Sequence, residues 1–214
     1  MKRYQNLIQE FGSKENIWNA SENELQKIES IGPKLSKVIA NKQLKQDVKR
    51  HLDYMKKHSI DIIFIEDKEY PQILKKIYNP PLCLYIRGKK EILNNVNIAI
   101  VGSRDATEYG KSVARDFAYK LSASGINIVS GLARGIDSYA HIGALNAACD
   151  SKKLKKNIQS DNVLEPKNKI GKTIAVLGNG LDTVFPSENI KLADNIIKSG
   201  GCIISEYPLG IRTK

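Results

Sequence analysis

Aromatic residues and cysteines are few in this sequence of 214 residues, which has one Trp, four Phe and three Cys. There is an odd number of cysteines, and none is in a C-x-x-C spacing, so the sequence supports neither a disulfide framework nor a zinc site. The cysteines are Cys83, Cys149 and Cys202. Cys83 and Cys202 lie in apolar stretches typical of strands, where we expect small buried side chains. The core must therefore be built mainly from aliphatic residues. A hydrophobic content of 41% excludes disorder of the whole chain.

Long apolar runs are missing as well. No run approaches the roughly 18 residues that would cross a bilayer, and the start, from Met1 to Asn6, lacks the apolar segment of a signal peptide. We therefore expect a soluble cytoplasmic protein without a membrane partner. Neither G-x-G-x-x-G nor G-x-x-x-x-G-K-[ST] occurs, so dinucleotide and ATP use are disfavoured and no cofactor is expected.

The net charge of +11 suggests an anionic partner, but the charge is unevenly distributed. Residues 1–58 carry +5, residues 59–148 carry +2, residues 149–170 carry +3 and residues 171–214 carry +1. The central region is nearly neutral. Any binding site for an anion must therefore be argued from local residues rather than from total charge.

Residues 1–58 have the spacing of apolar residues that predicts helices, and we expect a small helical domain there. Ser21 and Glu24 form a predicted capping box, and Ile31-Gly32-Pro33 breaks the helical pattern. The stretch 25–40 resembles a helix-hairpin-helix, whose glycine turn can present N–H groups to a phosphate. Because Pro33 removes one of these donors, we favour a mainly structural turn.

From residue 59 the pattern changes to short strands that alternate with amphipathic helices. This alternation predicts an α/β fold, in which an extended Rossmann-like, mostly parallel sheet over residues 59–214 follows the helical domain. The predicted helices are Gly110–Ser124, Ile136–Ala148 and Glu188–Ser199. The predicted strands are Ile60–Ile65, Leu82–Ile86, Ile98–Val101, Ile126–Val129, Thr173–Leu177 and Cys202–Ser205.

Ligands of open α/β sheets bind at the carboxyl ends of the strands, and three of the four loops predicted there are rich in glycine. Glycine lets a phosphate approach the backbone closely, and the helix that follows each loop adds a partial positive charge. Arg104 can add a bidentate contact to phosphate oxygens. The loops predict an anion-binding crevice, and they begin at Gly102, Ser130, Gly178 and Ser205.

A series of segments over most of residues 60–214 carries a family resemblance. They are Tyr70-Pro71, Asn79–Tyr85, Ile98–Arg104 with Thr107 and Tyr109-Gly110, Val129–Asp137, Ala140–Leu145, Thr173–Asp182 and Ser205–Gly210. In these segments the sequence resembles the DNA-processing protein A (DprA, or Smf) family. The resemblance implies an extended Rossmann domain that binds single-stranded DNA, forms homodimers and delivers incoming strands to the RecA recombinase during natural transformation.

We therefore expect a binder of single-stranded DNA rather than an enzyme, with weak sequence preference. Ser103, Arg104, Arg134 and backbone N–H groups are expected to hold the sugar-phosphate backbone. Tyr109 or Tyr207 is a candidate for stacking on a base, with buried packing as the alternative for each. The expected nucleic-acid-binding residues are Gly102, Ser103, Arg104, Thr107, Tyr109, Gly131, Arg134, Gly135, Gly178, Gly180 and Lys214.

The sequence departs from the family in two places. Residues 149–170 form a polar, Lys-rich insertion for which we expect a mobile surface loop. The family continues beyond the position of Lys214 with a Phe-Pro-x-Arg-Asn-Arg segment and further strands, so part of the DNA pocket is expected to be missing.

An enzymatic reading is the main alternative. Asp137 and His141 lie four residues apart on one predicted helix, but we expect Asp137 to cap that helix and His141 to complete its hydrogen bonds. Glu206 lacks an obvious catalytic partner. The rival function is a Rossmann-like nucleotide hydrolase, similar to a phosphoribohydrolase, although the Gly-Gly-Gly-Thr loop of such enzymes is absent.

Overall fold

A computed structural model describes residues 2–157 and 170–212 of the chain. The chain divides into two compact units. The first comprises Met1–His58 with Tyr78–Leu82, and the second comprises Ser59–Ile77 with Cys83–Lys214.

The first unit is helical. Its capping box is confirmed, because the Glu24 N–H donates to Ser21 Oγ (3.3 Å) and the Ser21 N–H donates to Glu24 Oε2 (2.8 Å). Leu7, Leu25 and Ile31 are buried in its core. The helices are α1 (Lys2–Phe11), α2 (Lys14–Asn19), α3 (Glu22–Gln26), α4 (Pro33–Ala40) and α5 (Lys42–Lys57).

The second unit is built on a six-stranded sheet of order β1-β2-β6-β5-β4-β3. Strands β3 to β6 are parallel, whereas β1 pairs antiparallel with β2 and β2 pairs antiparallel with β6. The prediction of a mostly parallel, Rossmann-like sheet is confirmed. The strands are β1 (Ile60–Phe64), β2 (Cys83–Gly88), β3 (Asn97–Ala99), β4 (Asn127–Ser130), β5 (Thr173–Leu177) and β6 (Cys202–Ser205).

Three helices connect the parallel strands: α6 (Glu108–Ala123), α7 (Ile136–Asn157) and α8 (Ile190–Lys198). Each connection joins neighbouring strands in the same direction, and crossovers of this kind are right-handed, so the helices share one face of the sheet. Ala118, Ala140 and Ala144 pack there with Ile128. These small residues let the helices approach the sheet closely.

The other face of the sheet packs against residues from the segments 65–77 and 89–96. Tyr70 is fully buried there, and Ile92 and Leu93 pack in the same cluster as Ile174 and Cys202. Burial raises the pKa of the Cys202 thiol to about 12. The expectation of a small buried side chain is confirmed for Cys202, whereas Cys83 is only partly buried.

The predicted loop over residues 149–170 is wrong in its first part, because α7 continues to Asn157. Neither Gly nor Pro occurs between Cys149 and Asn157, so no residue stops the helix. Residues 158–169 lie outside the part of the chain that the structure describes. Within that part, no helix is long and apolar enough to cross a membrane.

Candidate functional site

Four loops meet at the carboxyl ends of the parallel strands, where we predicted the crevice. The same edge holds the first turns of α6, α7 and α8, because each helix follows one of these loops. Helix N-termini present free N–H groups and a partial positive charge. This edge of the sheet is therefore the one that suits an anion.

The loop after β3 is shaped by its own hydroxyl groups. Ser103 Oγ accepts a hydrogen bond from the Asp105 N–H (3.1 Å). Thr107 is the N-cap of α6, and its Oγ1 accepts from the Gly110 N–H (3.1 Å). Both hydroxyls thus stabilise the loop and the start of the helix while the two residues stay exposed.

The loops after β3 and β4 touch through their backbones. The Ile136 N–H donates to the carbonyl oxygen of Ser103 (3.2 Å). A Cβ at Gly135, whose φ is +72°, would overlap the Ser103 oxygen and lie 2.6 Å from the Arg104 oxygen. A Cβ at Gly102 would lie 2.7 Å from Ile136. The structure therefore brings the predicted residues of these two loops together.

Arg134 is tied to the loop after β5 by a bidentate salt bridge with Glu188. Nε donates to Oε1 and Nη2 donates to Oε2, both at 2.8 Å. The pairing raises the pKa of Arg134 and lowers the pKa of Glu188. Our sequence analysis gave Glu188 only as the first residue of a predicted helix and not as a site residue, because an acidic residue at a helix start usually stabilises the helix dipole.

Arg104 is exposed, and no carboxylate of the described residues pairs with it. Five cationic side chains lie in the described loops and first helical turns of this edge: Arg104, Lys111, Arg134, Lys191 and Arg212. Three of them are paired, namely Lys111 with Glu108 (2.7 Å), Arg134 with Glu188, and Arg212 with Asp182 (3.8 Å). Arg104 and Lys191 remain, both exposed and without a carboxylate partner among the described residues. Of these two, Arg104 carries the guanidinium that can hold a phosphate through two hydrogen bonds.

The loops after β5 and β6 are joined by buried polar contacts. Asn179 is 2% exposed, and its Nδ2 donates to the Thr183 carbonyl (2.8 Å). The Ser205 hydroxyl donates to the Asn179 carbonyl (2.7 Å). The Gly180 N–H donates to the Ile211 carbonyl (2.9 Å). Two buried side chains thus fix this half of the crevice, and the sequence analysis gave a role to neither.

The predicted glycines differ in what surrounds them. A Cβ at Gly131 would lie 2.7 Å from Asp137 Oδ2, and one at Gly180 would lie 2.5 Å from the Pro208 carbonyl oxygen. Packing within the protein therefore explains these glycines. Gly178 is exposed and nothing lies within 4 Å of its would-be Cβ. It is the predicted glycine at which an external group has open access to the backbone.

Aromatic side chains stand at the rim of the crevice. Tyr109 is 81% exposed, so the alternative of a buried packing role is wrong for this residue. Tyr207 is 39% exposed. Phe185, which our sequence analysis did not consider, is 57% exposed in the loop after β5.

Asp137 and His141 lie on the face of α7 that packs on the sheet. His141 is fully buried, and its Nδ1 is 2.6 Å from Thr173 Oγ1. Burial lowers the pKa of His141 to about 3. Oδ1 of Asp137 is buried and has no hydrogen-bond partner among the described residues, so the helix cap that we expected is wrong for this oxygen. A neutral, buried imidazole held by a threonine is typical of a structural histidine.

A cavity of about 640 Å³ lies at the opposite edge of the sheet, with Asn127, Lys172 and Gly200 in its lining. Helix α8 ends beside it at Lys198, and the carbonyl end of a helix carries partial negative charge. That edge is therefore less suited to an anion than the carboxyl edge.

Within residues 2–157 and 170–212, no group of three or more potential metal ligands is present. Lys214, the remaining predicted site residue, lies outside the described residues.

These features define a class of protein: a Rossmann-like α/β protein in which four loops and three helix N-termini meet at the carboxyl ends of the parallel strands. A model of the family described as DNA recombination-mediator protein A matches residues 61–214. The chain belongs to this family.

Relatives and solved structures agree with this assignment. The chain is 33% identical to Protein Smf of Synechocystis over 208 residues, which cover 95% of the chain and 46% of the relative. It is 32% identical to DNA processing protein DprA of Bacillus subtilis over 182 residues, which cover 85% of the chain and 49% of that relative. The chain thus spans about half the length of these curated relatives.

The chain is similar to the X-ray structure of DNA processing protein A from Streptococcus pneumoniae, with a TM-score of 0.66 and 25% identity. The matched region covers 98% of this chain and 64% of the Streptococcus pneumoniae chain. DNA processing protein A from Helicobacter pylori, whose structure is described as showing a unique single-stranded DNA binding mode, matches 72% of this chain and 59% of its own. Its TM-score is 0.53 and its identity is 28%.

Proposed function

We propose that the chain binds single-stranded DNA along the carboxyl edge of its sheet and acts in DNA processing without catalysing a reaction on the strand. One observation carries the proposal: Arg104 is exposed and unpaired beside the N-termini of α6 and α7. A guanidinium next to two helix N-termini is complementary to a phosphate group.

Cations and carboxylates are nearly balanced at this edge, so we expect shape and base stacking to contribute to recognition as well as charge. The described loops and first turns hold five cations and six carboxylates, the latter being Asp105, Glu108, Asp137, Asp182, Glu188 and Glu206. Because its carboxylates offset its cations, we do not expect this surface to bind polyanions through net charge alone. Because single strands expose their bases, the rim aromatics Tyr109 and Phe185 add contacts that a double helix does not offer.

The domain organisation and partners are part of the same proposal. We assign DNA binding to residues 59–214 and regard residues 1–58 as a separate helical domain. We also propose delivery of strands to the RecA recombinase, homodimer formation and a cytoplasmic location, as the family resemblance implies. The Helicobacter pylori structure, described by its single-stranded DNA binding mode, supports the choice of ligand.

The experiment that tests the function is a titration of the full chain with fluorescent oligo-dT, a matched duplex and nucleoside monophosphates. We expect binding of oligo-dT that is stronger than binding of the duplex, and no release of base from the monophosphates. Base release would replace the proposal with the nucleotide hydrolase, and absence of oligo-dT binding would refute it.

A further inference from the structure

The salt bridge between Arg134 and Glu188 has the geometry with which an arginine binds a phosphate. The carboxylate of Glu188 accepts from Nε and Nη2 of Arg134, and both hydrogen bonds are 2.8 Å long. A phosphate group presents two oxygens to a guanidinium in the same bidentate way. Glu188 therefore occupies a position on Arg134 that a DNA phosphate would otherwise take.

The pair is accessible to solvent and not part of the core. The Arg134 side chain is 63% exposed and the Glu188 side chain is 52% exposed. Solvent exposure weakens an ion pair, although bidentate geometry places this one among the stronger exposed pairs. Displacement of the carboxylate therefore needs a ligand that offers several contacts. While the pair is intact, Glu188 cancels the charge of Arg134 and occupies the two N–H donors that a phosphate needs.

The loops that carry the pair are fixed independently of it. Asn189 is 9% exposed, and its Nδ2 donates to the Leu132 carbonyl (2.8 Å) and to Ser138 Oγ (3.0 Å). These buried hydrogen bonds hold the loop before α8 against the loop before α7. The salt bridge is therefore not needed to join the two loops.

We propose that Glu188 is an intramolecular competitor of DNA: it pairs with Arg134 in the free protein and is displaced when a phosphate of the strand binds Arg134. This inference rests on the proposed function, because it assumes that single-stranded DNA binds at this edge. The consequence is selectivity, since a single phosphate gains too few contacts to displace Glu188 and a strand with several phosphates gains enough.

The test is a double-mutant cycle on the full chain, with the affinity for fluorescent oligo-dT measured at several salt concentrations. The variants are Glu188→Gln, Arg134→Gln and the double variant. We expect Glu188→Gln to tighten binding by about two- to fivefold, because the ion pair that it removes is exposed to solvent. In the Arg134→Gln background the same substitution is expected to have no effect.

Glu206→Gln is the matched control, because Glu206 is an exposed carboxylate at the same edge that has no salt-bridge partner among the described residues. Equal gains for both glutamates would overturn the proposal in favour of a general charge effect. Weaker binding by Glu188→Gln, unchanged binding, or a gain that persists without Arg134 would overturn it as well. Thermal melting of each variant checks that the fold is retained, and Glu188→Asp gives a second variant that keeps the charge.

The two proposals fail in different ways. If the unaltered chain does not bind oligo-dT, the proposed function is wrong and the competition falls with it. If the unaltered chain binds and Arg134→Gln weakens binding, the function stands whatever Glu188→Gln does.

Discussion

Gly135 packs directly against the backbone carbonyl oxygen of Ser103, and this contact joins the loops that follow two neighbouring strands. The Ile136 N–H donates to the same oxygen (3.2 Å). Arg104 and Arg134 flank this junction in the sequence. The spacing of the two arginines at the crevice therefore depends on a residue without a side chain.

Replacing Gly135 with alanine is expected to destabilise the protein. Its φ of +72° costs a residue with a side chain about 1–2 kcal/mol, and the new Cβ would also push against Ser103. A urea denaturation curve of Gly135→Ala should therefore show a lower midpoint than that of the unaltered chain. An unchanged midpoint would mean that the two loops separate without cost.

Gly178→Ala is expected to leave the stability of the protein intact while it weakens binding of DNA. Nothing lies within 4 Å of the would-be Cβ of Gly178, and its φ is not in the left-handed region. Such a substitution leaves stability unchanged or raises it by about 0.4–1 kcal/mol, because it restricts the unfolded chain. If DNA approaches the backbone here, affinity for oligo-dT falls while the denaturation midpoint does not. Equal affinity would remove Gly178 from the interface.

The sequence was informative where burial is strong and local. The strands β3 to β6 were predicted to within two residues, and in β4 to β6 most residues of the aliphatic runs are buried, such as Ile174, Ala175 and Leu177 in β5. The end of α7 was predicted wrongly, since a Lys-rich stretch without Gly or Pro continues a helix as readily as it forms a loop.

The pairing of site residues could not be predicted. Arg134 and Glu188 are 54 residues apart, and nothing in either local sequence indicates a contact. The same holds for Asn179, whose buried amide shapes the loop after β5. Sequence patterns predicted the loops of the crevice. Whether a charged side chain in these loops is paired depends on contacts that form only in the tertiary structure.

His141 is expected to make stability depend on pH. Burial lowers its pKa from 6.5 to about 3, so the unfolded chain takes up a proton near pH 6.5 while the folded chain does not. The free energy of unfolding contributed by His141 is therefore fully present above pH 6.5 and falls as the pH is lowered toward 3. The slope approaches about 1.4 kcal/mol per pH unit.

Urea denaturation of the unaltered chain and of His141→Gln between pH 4.5 and pH 7.5 measures this dependence. The free energy of unfolding of the variant should depend less steeply on pH, by the equivalent of up to one bound proton. This holds whatever its absolute stability, because the other titrating groups are common to both proteins. Identical slopes would show that the pKa of His141 is the same in the folded and unfolded chains, which would contradict the prediction.

Arg104→Ala is expected to weaken binding of single-stranded DNA without affecting the fold. Arg104 is exposed and has no carboxylate partner among the described residues, so its removal opens no cavity and breaks no salt bridge. The loss of one charge-assisted contact costs about 1–3 kcal/mol, which is about fivefold to more than a hundredfold in Kd. The slope of log K against log salt should fall by about 0.7 for a single strand.

Arg87→Ala is the matched control for this experiment. Gly88, the next residue, pairs with Cys202 at the start of β6, so Arg87 lies toward the opposite edge of the sheet, where it pairs with Asp194 (3.7 Å). If the carboxyl edge binds DNA, Arg104→Ala reduces affinity and salt slope while Arg87→Ala changes neither. Arg104→Lys should recover the salt slope but not the full affinity, because an ammonium group lacks the two-pronged geometry of guanidinium. Equal losses for Arg104→Ala and Arg87→Ala would show that total charge, and not this crevice, governs binding.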